Sequence, residues 1–181
     1  MIRDAELLEK LAEYPTENFD GPVYRATRHG LNPLASSQWG GRWMPRDMAS
    51  VLYTSLQRDG ALAEVSFHWS QANPPPNKSA LVHTLSVKAS RALRLVRVDL
   101  VKLGVPETEF SRINHPRMQQ IGAAVEFLSC DGLIAPSVRW ACDNLMLFPE
   151  SAHFRGELEV THSEEVDWQA WARTNGLFEA T

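Results

Sequence analysis

Cysteine is nearly absent from this 181-residue chain: only Cys130 and Cys142 occur, and they form neither a CxxC pair nor a disulfide framework. A reducing compartment would leave both as small buried apolar residues. The six histidines (His29, His68, His83, His115, His153 and His162) show no HxxxH or HExxH spacing and adjoin no cysteine cluster. No structural or catalytic metal is therefore expected. No apolar run approaches the roughly 20 residues needed to cross a bilayer. Met1-Ile2-Arg3-Asp4-Ala5-Glu6 lacks the apolar core of a signal peptide, so the expected address is cytoplasmic, with no membrane contact. A basic excess is missing too. The formal net charge is -4 and the cations are scattered, which argues against a chain that binds nucleic acid directly by neutralising phosphates. No GxGxxG follows a strand, so a Rossmann dinucleotide site is unsupported. No GxSxG elbow surrounds Ser137, so a serine hydrolase is disfavoured.

What is present suffices for one compact domain, 1–181, with 44% hydrophobic residues and 11 prolines spread along the chain. Asp4 is placed to cap a helix through about Tyr14, part of a helical extension over 1–20 that packs outside the core. A motif-bearing core follows over 23–148. In it, Val23-Tyr24-Arg25-Ala26 reads as a short strand, Val51-Leu52-Tyr53-Thr54 as another, and Asp59 as the N-cap of a helix to about Trp69. Leu62, Val65 and Trp69 form that helix's buried stripe, and Glu64 lies off it. Two strands are expected at 81–87 and 93–98, around a turn at Ala89-Ser90. Arg91, Arg94 and Arg97 are assigned to a solvated face. Pro116 opens a helix to Cys130 in which Gly122 allows close packing. Short strands follow at 133–135 and 145–148. The remainder, 149–181, holds a strand near 158–161 and a terminal helix with Trp168 and Trp171. Helices interspersed with short strands, without regular βαβ spacing, predict an α+β domain on a mixed or antiparallel sheet.

Between Tyr24 and Glu64 the chain sets out Tyr24-Arg25, Gly40-Gly41-Arg42-Trp43, Tyr53 and Glu64. Arginine offers a rigid fork of donors that grips a diphosphate, and an aromatic face holds a flat or cationic ring. A carboxylate stabilises positive charge developing on a sugar. Glu64 and Arg42 are the strongest candidates. Tyr24 and Tyr53 are equally suited to core packing, and Trp43 is better suited to it. Ser137 and Asn144 are placed to position a substrate group.

The order Tyr-Arg, Gly-Gly-Arg-Trp, a strand Tyr, a helix Glu, a late Pro-Ser and a following Asn resembles the RES domain over roughly Val23 to Phe148. That family is named for an Arg, a Glu and a Ser, here Arg25 or Arg42, Glu64 and Ser137. The most specific pieces are Gly40-Gly41-Arg42-Trp43, Ala61-Leu62-Ala63-Glu64 and Ala135-Pro136-Ser137. The commoner Gly-Arg-Trp-Asn pattern is broken at Met44. The resemblance implies an ADP-ribosyltransferase-like fold and the toxin half of a bacterial toxin-antitoxin pair, acting on NAD+ as co-substrate. It implies that Glu64, Arg42 and Tyr53 are catalytic and that Tyr24, Arg25, Arg42, Tyr53, Ser137 and Asn144 bind NAD+. The acceptor of ADP-ribose would be a cellular protein, slightly favoured, or phosphate or water. A cognate Xre-like antitoxin with a helix-turn-helix part is implied, contacting an apolar patch near Trp168 and Trp171. The alternative is a non-catalytic nucleotide- or protein-binding module on the same fold.

Overall fold

The computed structural model describes residues 4–112 and 115–177. Residues 113–114 and the two ends of the expected 1–181 range lie outside them. Helix α1 (Ala5–Ala12) begins where Asp4 Oδ1 accepts the Leu7 N–H at 3.1 Å, satisfying an amide that the helix itself leaves orphaned. This helix does not pack outside the core. Leu7 and Leu11 are buried together with Met118, Ile121 and Val125 of α4 (Pro116–Phe127), because the apolar face of α1 is what closes that side of the core.

Strand β1 (Thr16–Thr27) is far longer than the expected four residues and starts inside the supposed helical extension. Its partner explains the length. Strand β3 (Ala80–Arg94) is one 15-residue strand rather than two, and β1 runs antiparallel to it from Thr16 opposite Leu93 to Thr27 opposite Leu81. The expected turn at Ala89-Ser90 is suppressed because Ser90 donates its N–H and hydroxyl to the buried Asp131 carboxylate, both at 2.9 Å. After Arg94 the chain does not continue as a strand. Asp99 accepts the Val96 N–H at 3.0 Å and starts helix α3 (Arg97–Lys102), leaving Val96 and Val98 exposed.

The sheet order is β1-β2-β5-β4-β3-β6, where β2 is Leu52–Ser55, β4 Gly132–Pro136, β5 Asp143–Leu147 and β6 Glu157–Val166. The additional β1–β3 pairing closes the first five strands into a ring, with β6 on the outer edge of β3. Only β3 and β4 run parallel, so the sheet is mixed, as the strand pattern predicts. Alternation is clean where it counts. Leu133, Ala135 and Met146 enter the core beneath α1 and α4, while Ile134, Leu145 and Leu147 enter a second core on the opposite face. Arg94, read as solvated, instead bonds Glu17 at 2.9 Å and Asp143 at 2.6 Å, tying three strands together.

Helix α2 (Arg58–Ser70) is capped by the backbone of Gln57. Asp59 sits in its first turn beside Arg58, at 3.1 Å, rather than at the N-cap. Leu62, Val65 and Trp69 are buried as expected, and Trp168 of α5 (Trp168–Thr174) meets Trp69 edge-on at 5.3 Å. Trp168 thus finishes a core and offers no surface patch. Trp171 leans on Trp140 at 5.5 Å. Among the described residues no helix is long and apolar enough to cross a membrane.

One contact positions the loop that carries Arg42. In α4, Gly122 lies so close to the Trp43 carbonyl that an added Cβ would overlap it. Gly122→Ala is expected to lower stability by about 2 kcal/mol, since the neighbour is main chain and cannot swing aside. Urea denaturation would measure this; an unchanged midpoint would show that the loop yields freely.

Candidate active site

Glu64 leaves the buried stripe of α2 and turns toward the ends of β4 and β5. There its Oε1 accepts the Ser137 hydroxyl and the Asn144 amide N–H, each at 3.1 Å. Ser137 is buried just after β4, and its Oγ also accepts the backbone N–H groups of Arg139 and Trp140 at 3.1 and 3.3 Å. Those two bonds curl the chain and aim the hydroxyl proton at Glu64. Asn144 Oδ1 is buried without a hydrogen-bond partner among the described residues, so an acceptor stands ready beside the carboxylate.

A cleft of about 440 Å³ opens over this carboxylate, and Tyr24, Arg25, Arg42, Tyr53, Glu64 and Asn144 all line it. Ser137 stands behind, bonded to Glu64. The structure therefore brings every residue singled out in the sequence to one place. Trp43 is also on the wall, but its side chain is buried in the main core. Met44 is buried as well, and its carbonyl accepts the Gly41 N–H at 2.9 Å, closing the glycine turn. Gly40 holds φ at 76°, the left-handed region that a side chain resists. Gly41 has no room for a Cβ, which would come within 2.5 Å of the Tyr53 hydroxyl.

Burial lowers the proton affinity of both clamp arginines. Arg25 spends Nη1 on the carbonyls of Pro33 and Ala35 at 3.0 and 2.8 Å. It therefore anchors the β1–β2 loop as well as facing the cleft. Arg42 spends Nη1 on the Phe110 carbonyl at 2.7 Å; Arg139 depresses it further, and Glu64 partly offsets this. The Tyr53 hydroxyl is buried and makes no well-aligned hydrogen bond among the described residues, with the Trp43 main chain as its near polar neighbour. Burial pushes its phenol up to about 12, against the opposing effects of the Trp43 main chain and the Arg42 charge.

Two cleft residues went unread in the sequence. Arg139 lays its guanidinium 3.4 Å from the centre of the Phe67 ring and has no carboxylate partner among the described residues. His115 donates from Nδ1 to the Arg112 carbonyl at 2.8 Å, and burial and then Arg42 hold its pKa below the usual imidazole range. The spacing from Ser137 to Arg139, two residues, was the only available hint for the arginine. Nothing local marked the histidine. Among the described residues no group of three or more His, Cys, Asp or Glu could hold a metal ion.

The family model for the RES domain matches residues 21–169. The chain belongs to the RES-domain family. Its fold is similar to that of a chain in the crystal structure of the M. tuberculosis MbcT-MbcA toxin-antitoxin complex, with a TM-score of 0.78. Sequence identity there is 18%, over 96% of this chain and 98% of the other. Comparison with curated protein sequences finds no match. Within the RES fold, the arrangement joins a fixed carboxylate to partly desolvated guanidinium groups, with the buried polar atoms Tyr53 Oη and Asn144 Oδ1 beside them.

Tyr53 provides a test independent of turnover. Because its folded pKa lies above the ordinary value of 10.0, its contribution is complete below pH 10 and is lost as pH rises toward about 12. Wild-type protein should lose stability relative to Tyr53→Phe across that window, while at neutral pH the variant should be equally or more stable, having shed a buried hydroxyl that lacks a well-aligned hydrogen bond. Parallel urea melts would show this; identical pH dependence in the two proteins would contradict the buried placement.

Proposed function

We propose that this RES protein cleaves the bond between nicotinamide and ribose in NAD+ and transfers ADP-ribose to an acceptor. The observation that carries the reading is the convergence of Glu64, Ser137 and Asn144 at the floor of a cleft walled by Arg25, Arg42 and Tyr53. As the C–N bond breaks, its electron pair stays with the nicotinamide nitrogen, which becomes neutral, and positive charge develops on the ribose. Glu64 is placed to stabilise that charge, already oriented by two hydrogen bonds and so with little reorganisation left to do. Arg42 and the free nitrogens of Arg25 suit the diphosphate. The buried Tyr53 hydroxyl and Asn144 Oδ1 suit the carboxamide or a ribose hydroxyl. The acceptor's oxygen then bonds to the ribose carbon and releases its proton. A cellular protein is the favoured acceptor, with phosphate or water as the other outcomes.

Such an activity depletes or diverts a central dinucleotide, which accords with a growth-inhibiting toxin of a toxin-antitoxin pair. The structural relative lies in a toxin-antitoxin complex, and this supports a cognate antitoxin here, which we propose is Xre-like. Any association with DNA would then run through the antitoxin.

Purified protein incubated with NAD+ is expected to release nicotinamide, in buffer, with phosphate, or with cell extract. Glu64→Gln keeps an oxygen that accepts from Ser137 and Asn144, so it should fold normally while losing at least about 100-fold in kcat. Absence of nicotinamide in all three conditions would refute the reading. Label from the adenylate half of NAD+ found on a protein, rather than on small products, would assign the acceptor.

A further inference from the structure

A second cavity adjoins the cleft above Glu64 at Trp69. Ala61, Glu64, Val65, His68 and Trp69 of α2 line that cleft, and Trp69 with Ala72 line a second cavity of about 630 Å³. Trp69, in the last turn of α2, is shared by the two linings. Across from it, Tyr24, Arg25 and Ala26 of β1 line the first cavity, and Arg28, one residue past the end of that strand, lines the second. Trp69 lies five residues on from Glu64, about 7.5 Å along the helix. Two riboses joined through a diphosphate can bridge that span.

The chemistry of the second cavity differs from that of the first. Its walls carry Arg28, His29 and Lys78 beside the apolar Pro74–Pro76 segment, and no carboxylate lines it among the described residues. Arg28 sits 5.7 Å above the Trp69 ring, and neither Arg28 nor Lys78 has an ion-pair partner among the described residues. His29 faces Glu165 at 3.5 Å, the nearest acid to this cluster. The cavity at the opposite end of α2, about 580 Å³, carries Asp143 together with Arg97. A dinucleotide site that favours a free ribose 2′-hydroxyl commonly presents an acid to it, whereas an arginine there accommodates a 2′-phosphate.

We propose that the Arg28–Lys78 cavity receives the adenosine end of the substrate and binds a 2′-phosphate on its ribose, so that the protein cleaves NADP+ in preference to NAD+. This rests on the nicotinamide-releasing reading above. Arg28 and Lys78 supply the charge, the proline segment walls the adenosine, and Glu64 acts on the far end as it would for NAD+.

Nicotinamide release from NAD+ and NADP+ should be measured side by side for wild type, Arg28→Ala, and Lys78→Glu, an exposed charge reversal that leaves the core untouched. NADP+ is expected to have the higher kcat/KM, and each variant to lower the NADP+ to NAD+ ratio by about tenfold. Calorimetry on Glu64→Gln with ADP-ribose and with its 2′-phosphate should show tighter binding of the phosphorylated ligand. Cleavage of NAD+ with no preference for NADP+, or a ratio unmoved by both variants, would overturn the inference and leave the reaction standing. If neither dinucleotide is cleaved, the reaction fails, and the calorimetric comparison alone decides the cavity: equal affinities overturn it.

Discussion

The site depends on the pair of hydrogen bonds that Glu64 receives from Ser137 and Asn144. Each donor comes from a different part of the fold: Ser137 from the turn after β4, Asn144 from β5, and the acceptor from α2. The two strands are antiparallel neighbours with Ala135 opposite Asn144, so their register sets the spacing of the donors. On the other edge of β5, Thr54 of β2 donates to the Leu145 carbonyl at 2.7 Å and ties that strand to its second neighbour. A one-residue slip would send Asn144 to the opposite face and leave Glu64 half-bonded. The ring of strands thus serves the carboxylate as a jig.

Charge is balanced narrowly around that carboxylate. Arg42 and Arg139 repel each other, and Glu64 is the acid whose field sustains Arg42 in return. A guanidinium removed from water without a full set of acceptors is costly, and in the proposed reaction an incoming diphosphate would supply the missing oxygens. Neutral His115 fits this arrangement, since a third full cation beside Arg42 and Arg139 would add repulsion without a counter-charge.

Local signals carried the elements whose stability is local. The Asp4 cap, the Pro116 start of α4, and the Leu62, Val65 and Trp69 stripe were all legible because each depends on neighbours within a turn or two. Glu64 was legible as an acid off that stripe, and the spacing of the motif tied it to Arg42 and Ser137. The long β3 strand was not, because its turn-like Ala89-Ser90 is held straight by Asp131, some 40 residues away, and by partners on both edges. Helix α3 escaped for the opposite reason. Its β-branched valines favour a strand, and one side chain, Asp99, overrides them by capping Val96. His115 just before α4 and Arg139 just after β4 reach the cleft through tertiary folding alone.

Arg25 shows why the clamp and the loop cannot be treated separately. Its Nη1 holds the carbonyls of Pro33 and Ala35, and the segment it holds leads directly to Gly40-Gly41-Arg42. A lysine at this position would have only its one ammonium nitrogen, whereas arginine spends Nη1 on two loop carbonyls and still has Nε and Nη2 as further donors. The same fork also fixes where the second guanidinium lies, because the anchored loop ends at the glycine turn packed on Tyr53 and then at Trp43 packed on Gly122. Arg25 therefore places Arg42 through the loop, and the two arginines act as one unit. Loss of Arg25 is therefore expected to loosen the loop that carries Arg42 as well as to remove a charge, and double-mutant measurements should find the two residues coupled rather than additive.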